Sequence, residues 1–394
     1  MDPSKLITSN YLVPVFFAST AFVFLNFSLP IYSRSLGAGA FEIGGTYTVF
    51  TLTMLLIRPL VGHGLDKFGR RYFFSASFVF YALSMLVFQG VENLFDIYVA
   101  RFLQGIGASL MWVSARTIVA DTSRAVERGM QMGRLTARSV QGSMVGAFYG
   151  FTLLSMTADI AVAWHYAFIG YAVCAVIGFI LSFRMKEVKP KGVETLSPLV
   201  ISSDLKKFAV IVFLTGFASA LIEPIYLIFL HDKFDLNIML LAAAFFPAGI
   251  VYAILPPYAG RLSDRFGNAN LIGLGLILSG LVAILLPWIP SIFLVALCYV
   301  GFAVGNALAG PAESALLSEF ADAGNLGRLT GYKEAAFGMG AALGPLVGGA
   351  IYDYIDVELT FVTTGVMLFV TAFLVKYWLV TSQNPTTSQV PPTT

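Results

Sequence analysis

Twelve runs of mostly apolar residues recur along the chain, near 11–33, 43–61, 72–90, 96–118, 135–156, 160–183, 208–230, 238–258, 271–288, 291–316, 330–352 and 359–380. A helix needs about 20 such residues to cross the hydrocarbon core of a bilayer. In that solvent no water satisfies backbone N–H and C=O groups, so every run is expected to satisfy its own as an α-helix. Composition leaves no soluble alternative: 57% of the 394 residues are hydrophobic and 12% charged, too little polar surface to clothe soluble domains of this size. The leading segment MDPSKLITSN carries a single lysine, and the run after it lacks a small-residue cleavage site. The first run is therefore expected to stay as a span rather than to be removed as a signal.

Basic residues set the orientation. With both termini on the cytoplasmic side, sixteen of the 24 lysines and arginines fall in cytoplasmic segments and two, Arg34 and Lys233, in outer ones, the asymmetry expected of a multi-pass protein. The longest polar segment, RMKEVKPKGVETLSPLVISSDLKK at 184–207, reads as a linker between residues 1–183 and 208–394, with six runs on each side. The two halves also resemble each other. LPIY at 29–32 matches EPIY at 223–226, Asp66 and Gly69 match Asp264 and Gly267, and GRLT occurs at 133–136 and 327–330, at offsets of 194, 198 and 194. A duplicated six-helix unit predicts such spacing. The expected fold is an all-α integral membrane protein, with twelve transmembrane helices in two pseudo-symmetric six-helix bundles.

Several function classes find no support in the residues. The net charge of +2 gives no reason to expect a nucleic-acid partner, and the two cysteines, Cys174 and Cys298, both lie inside apolar runs, which argues against a disulfide framework or a thiolate metal site. The three histidines, His63, His165 and His231, are scattered without metal-ligand spacing, and no Gly-Lys pair exists to build a phosphate-cradling loop. No cofactor, metal or enzymatic reaction is expected.

Between the second and third runs stands GHGLDKFGRR, 62–71, and GRLSDRFGNAN at 260–270 nearly repeats it. Positive charge alone would anchor a cytoplasmic loop, but it does not explain Asp66 and Asp264, nor the glycines, which suit tight turns and close backbone approach. The spacing Gly62, Asp66, Lys67, Gly69, Arg70, Arg71 resembles the signature loop of the major facilitator superfamily. RPLVG before it, RFLQGIGAS at 101–109 and GMGAALGPLVGG at 338–349 resemble further motifs of that family, so the likeness runs from end to end and is strongest to its drug and metabolite exporters. One departure is visible: Ala147 stands in GSMVGAFYG, in the fifth run, where proton antiporters of the family carry a proline.

A carboxylate beside a helix N-terminus is stabilised by ~0.3–1 kcal/mol, more when partly buried. Asp66 is expected to approach the start of the eleventh span and Asp264 the start of the fifth, latching each half to the other. The resemblance implies the same latch, favouring the outward-open state, with Arg70 and the acidic residue ending the fourth helix, here Asp121, in its charge network. Arg265, Gly267 and Glu319 are the second half's counterparts. In the fifth run Gly142, Gly146 and Gly150 recur every four residues, as do Gly340, Gly344 and Gly348 in the eleventh, beside Pro345. Each set lies on one helix face, where backbones approach closely, and a glycine seam between the two halves is expected.

Charged and polar groups inside spans are costly and mark cavities, partners or proton sites. Glu223, about 15 residues into the seventh run and just before Pro224, is the leading candidate for proton coupling or for binding a cationic group; a structural ion pair is the alternative. Arg101 shares a helix face with Gln104, Gly105, Ala108 and Trp112, and by resemblance lines the central cavity, with snorkelling toward the outer surface as the alternative. Asn26, Gln141, Tyr226 and Asn306 are further cavity candidates, against ordinary interhelical hydrogen bonds. Arg58, Arg116, Arg138, Glu313, Lys333 and Glu334 read as gate or anchoring charges near the cytoplasmic surface. The 35 phenylalanines, 17 tyrosines and 12 methionines are read as mostly lipid-facing or packing, though such a cavity would suit bulky apolar substrates.

The expected activity is secondary active transport by alternating access, with proton-coupled efflux of a drug-like or amphipathic small molecule as the first reading. Lacking an ATP-hydrolysing loop, the chain must draw on a gradient; one charge moved across 100 mV supplies ~2.3 kcal/mol. Uniport or symport of a metabolite or lipid is the second reading, favoured by Ala147, and a non-transporting sensor or scaffold the third. The expected partners are the substrate, protons and the lipid bilayer, with the chain a monomer in the cell membrane.

Overall fold

The computed structural model describes residues 3–123, 127–157, 159–185, 187, 202–235, 244–245, 247–251, 254–320 and 326–380. The eighth predicted run, 238–258, and the linker 184–207 lie in large part outside the described residues. The described elements are helical: α1 Pro3–Ala18, α2 Phe22–Ser35, α3 Ala40–Phe68, α4 Arg70–Gln89, α5 Leu94–Thr122, α6 Arg128–Met156, α7 Ile160–Ser182, α8 Ser203–Phe234, α9 Pro256–Phe266, α10 Asn268–Leu285, α11 Ile292–Glu319, α12 Leu326–Tyr354 and α13 Val357–Val375. Among the described residues nine helical segments are long and apolar enough to cross a membrane. Two more helices of 29 residues, α5 and α6, stand where the fourth and fifth spans were expected.

The first span is broken. Ser19 and Thr20 turn their hydroxyls back onto the carbonyls of Val15 (2.9 Å) and Phe17 (3.0 Å), and Phe22 N–H bonds to the Ser19 carbonyl at 3.1 Å, so the ladder tightens and bends between α1 and α2. The second run continues further than its composition suggests. GHGLDKF, read as loop, is the last two turns of α3, and the chain reverses at Gly69 alone. Gly69 has φ +93° and its counterpart Gly267 φ +85°, in the region that side chains with a Cβ avoid.

Packing divides the chain into two units, Met1–Thr195 with Pro224–Met239, and Leu196–Glu223 with Leu240–Thr394. This differs from a clean split at the linker, because the part of α8 from Pro224 onward packs with the first unit, where Ile228 joins a core of Phe24, Leu29, Phe88 and Trp164. Trp164 stacks on Tyr32 with ring centroids 3.9 Å apart, and its Nε1 donates to the Phe88 carbonyl at 2.6 Å. The second unit has its own core, with Phe208, Ile211, Leu271, Leu276, Leu316 and Leu368 at its centre.

The repeat is visible in the helix boundaries. Arg70 and Asn268, Leu94 and Ile292, Arg128 and Leu326, and Met156 and Tyr354 open or close equivalent helices 198 positions apart. In that register the two GRLT segments are not equivalent: the first begins at the sixth residue of α6, the second at the second residue of α12, one helical turn out of step. The match between LPIY and EPIY shifts similarly, as the packing of the glycine rows shows below.

Candidate functional site

Arg70 opens α4 and is 4% exposed. Its Nε donates to Asp121 Oδ2 at the end of α5 at 2.9 Å, and its Nη1 to the Leu65 carbonyl at the end of α3 at 2.6 Å. One guanidinium therefore ties three helix ends together, which its fork of rigid donors suits better than an ammonium would. The Glu187 carboxylate, from the start of the linker, accepts from the backbone N–H groups of Arg70 (2.7 Å) and Arg71 (3.4 Å), capping the N-terminus of α4 where the helix dipole favours negative charge. A Cβ on Gly69 would lie 2.5 Å from Glu187 Oε1, so the glycine makes room for the cap as well as for the turn. Arg71 lies over the Phe183 ring at 5.4 Å, and Lys67 over Phe68 at 5.2 Å.

The second unit builds the same corner with different chemistry. At the position of Arg70 it has Asn268, whose Nδ2 donates to Glu319 Oε1 at 2.5 Å while its Oδ1 accepts from the Ser263 hydroxyl. Arg265 is exposed beside Phe266. The expected network of Arg70 with Asp121 is present, and Glu319 occupies the equivalent place; the composition of the loops gave no sign of Glu187 or Asn268. The side chains of Asp66 and Asp264, and so their expected contacts with helix starts, lie outside the described residues. Gly62 is a helix-interior residue with nothing within 4 Å of an added Cβ.

The nearest neighbours of the glycine rows lie within their own units. Cβ atoms on Gly142 and Gly146 would collide with the carbonyls of Phe16 and Thr20, and one on Gly150 with the Phe24 ring. On α12, Gly340 and Gly348 meet the carbonyls of Phe213 and Leu221, and a Cβ on Gly344 would lie 2.6 Å from the Phe217 carbonyl. The helix that opens each half thus has its own carbonyls for the glycine faces to meet, and the partner nearest each face is the one adjacent in its bundle. Pro345 is buried in the same stretch of α12. Thr20 pairs with Gly146 as Phe217 does with Gly344, which sets the two opening helices 197 positions apart. The repeat mate of Glu223 is then Asn26, not Leu29, the residue that aligning LPIY with EPIY would give it.

Arg101 of α5 is 2% exposed and Gln104 likewise 2%, so the snorkelling alternative fails. The guanidinium lies 4.5 Å from the Tyr47 ring and 5.1 Å from that of Phe50, both on α3, and its Nη1 donates to Gln104 Oε1 at 2.9 Å. Aromatic faces attract a desolvated cation through the ring quadrupole. Gly105 lets the two helices close around it: a Cβ there would lie 2.8 Å from the Phe50 carbonyl. Tyr47 in turn donates its hydroxyl to the Asn26 carbonyl at 3.3 Å, linking the cluster to α2, where the Asn26 side chain is exposed. Tyr47 and Phe50 were not singled out in the sequence because nothing distinguishes two aromatics among so many.

The remaining candidates are dispersed. Gln141 is exposed on α6 and accepts from Arg138 at 3.1 Å. Asn306, half-buried on α11, donates to the Phe302 carbonyl of its own helix at 3.1 Å, the ordinary helical alternative. Tyr226 is 5% exposed. Glu223 is exposed although its neighbours Ala220, Leu221, Ile222 and Pro224 through Leu230 are all buried. In the second unit Glu313 is buried and pairs with Lys333 at 3.1 Å.

A family model described as Major Facilitator Superfamily matches residues 12–248 and 208–393. Multidrug resistance protein 1 of Bacillus subtilis (strain 168) is 26% identical over 356 residues, covering 89% of this chain and 90% of that protein. The quinolone resistance protein NorA of Staphylococcus aureus (strain Mu50 / ATCC 700699) is 23% identical over 334 residues, covering 82% and 84%. Among solved structures, a bacterial homolog to the human lysosomal transporter Spinster, in an inward-facing and occupied conformation, superimposes with a TM-score of 0.76 at 13% identity, covering 99% of this chain and 98% of that one, a likeness of fold.

Proposed function

The chain belongs to the major facilitator superfamily, most like its drug exporters, and is a multi-pass membrane transporter of small molecules; from that premise we propose that it exports drug-like or amphipathic compounds in exchange for protons. The observation that carries this reading is the exposure of Glu223 within an otherwise buried stretch of α8. A carboxylate placed inside a membrane span and left accessible attracts a proton or a cationic group, and an exporter needs both to compete for one site. When the carboxylate is protonated, the cation loses its counter-charge and leaves. Arg101 in its aromatic cradle holds a fixed positive charge on the first unit, which orients polar parts of the substrate. The positive-inside asymmetry of the loops supports cytoplasmic termini in a cell membrane. The multidrug-resistance names of the relatives support the substrate class.

Proteoliposomes loaded with a fluorescent lipophilic cation, such as ethidium, and given an imposed pH gradient test this directly. Substrate-triggered proton flux is expected from the native protein and is expected to vanish in Glu223→Gln. Flux that persists in that variant would move the proton site elsewhere. The second reading, uniport or symport of a metabolite or lipid, has one observation in its favour. The α6 helix has no internal proline and carries buried Ala147 at the position in question, whereas α12 keeps Pro345. Transport indifferent to the pH gradient would select it.

A further inference from the structure

Lys333 Nζ lies 3.1 Å from Glu313 Oε2, with side-chain exposures of 17% and 8%. The carboxylate sits six residues before the end of α11, the ammonium seven residues after the start of α12. Their chain neighbours Ala312, Leu316, Leu317, Leu329 and Ala336 belong to the buried apolar core of the second unit. Two residues before Glu313, Pro311 lies inside α11; without an N–H it leaves the Ala307 carbonyl without its ladder donor and softens the helix there.

The duplication supplies an internal control. In the 198-residue register the first unit has Ala115 and Leu135 at the places of Glu313 and Lys333, and both are buried, at 0% and 2% exposure. The equivalent helix pair of the first unit thus does without charge. Burying an ion pair costs as much desolvation as its attraction returns, so apolar residues of similar size usually stabilise as well or better. A pair kept in the second unit where the first has an apolar solution calls for a use other than stability, and inside a membrane span the usual use is ion movement.

We propose that Glu313 is a second proton-accepting carboxylate of the transport cycle, exchanging its salt bridge to Lys333 for a proton when α11 and α12 part. The step takes one proton from water onto a carboxylate oxygen, giving a neutral acid. Lys333 stays an ammonium, so the site gains one positive charge and the helices lose their tie. The charged groups on the surrounding elements are otherwise engaged or solvated. On α10 there are none. Arg261 and Arg265 of α9 are exposed. Asp204 and Lys207 of α8 pair with each other at 2.8 Å, Lys206 is exposed, and Glu319 of α11 accepts from Asn268. On α12, Arg328 and Glu334 are half-buried and hold contacts of their own. This inference rests on the proton-coupled reading above.

The test uses the full chain in proteoliposomes with ethidium as the probe. Two double variants neutralise the pair: Glu313→Gln with Lys333→Gln, and Glu313→Ala with Lys333→Leu, which installs the first unit's own residues. Two rates are read, dye exchange without a gradient and uphill dye movement driven by a pH gradient. The expected result is exchange within about two-fold of the native rate and gradient-driven movement reduced at least about ten-fold in both variants. Uphill movement within about two-fold of native in either folded variant overturns the proposal and leaves the pair a structural one. A variant that elutes as a folded monomer yet exchanges no dye also overturns it, since the pair would then serve the helix movement itself. If the native protein exchanges dye but ignores the gradient, the proton-coupled reading fails first and takes this inference with it.

Discussion

Replacing Gly344 by alanine tests the packing of α12 against α8 quantitatively. The added Cβ would lie 2.6 Å from the Phe217 carbonyl oxygen, 2.8 Å from the Ala220 Cβ and 3.0 Å from the Ala220 carbonyl carbon, where ordinary contact begins at 3.4 Å. About 0.8 Å must therefore be found between two helix backbones that neither rotamer change nor side-chain bending can supply, a degree of overpacking that costs ~1–3 kcal/mol. Gly331 on the same helix is the control, since a Cβ there meets nothing within 4 Å. Both substitutions gain the same helix propensity, up to ~1 kcal/mol, so the difference between the two variants isolates the collision. For a unit of this size ~1 kcal/mol moves the melting temperature by about 2–4 °C. Gly344→Ala should melt about 2–12 °C below Gly331→Ala when both are followed by fluorescence-detected size exclusion in one detergent. Equal melting temperatures, or a Gly344→Ala protein that melts above native, would refute the close approach of the two helices.

Two further perturbations address the first unit. Asp121→Asn keeps the shape of the Arg70 partner but removes its charge from a site where Arg70 is buried; a loss of about 1–3 kcal/mol is expected, and the double variant with Arg70→Gln should lose less than the sum of the singles in a melting-temperature cycle. Tyr47→Phe retains the ring over which Arg101 lies and should keep native dye transport, whereas Tyr47→Leu removes it and should raise the apparent KM several-fold with little change in expression. Equal behaviour of the two Tyr47 variants would show that the ring face does not matter.

The spans were legible because apolar runs of membrane length have few other uses, and the corner of Arg70 with Asp121 because its signature loop has fixed spacing. Charge and glycine content misread GHGLDKF as loop: in a helix that emerges from the membrane, polar residues are simply its solvated last turns, and Gly69 alone makes the turn. Regular spacing of the glycines identified the close-packed faces of α6 and α12 but not what fills them, since periodicity on one helix says nothing about its neighbour. Glu187 was invisible because it reaches back 117 positions to Arg70 from a segment that reads as linker. Counting from the end of its run placed Glu313 near the cytoplasmic end of its span but gave no sign that its side chain is buried against Lys333. The carboxylate points into the unit, where helix ends need not coincide with the surface.

The opening helices of the two halves differ in one mechanical respect. At Ser19–Ala21 the first is interrupted, and the break divides it into α1 and α2. In the packing register Ser19 corresponds to Gly216, where α8 runs on without interruption. Glycine is about 1 kcal/mol less favourable than alanine inside a helix, so the second half carries its weakest ladder position where the first has already given way. Duplicated frames of this kind are not interchangeable parts: copying the shape of one half onto the other would require annealing a joint on one side and opening a new one at Gly216 on the other.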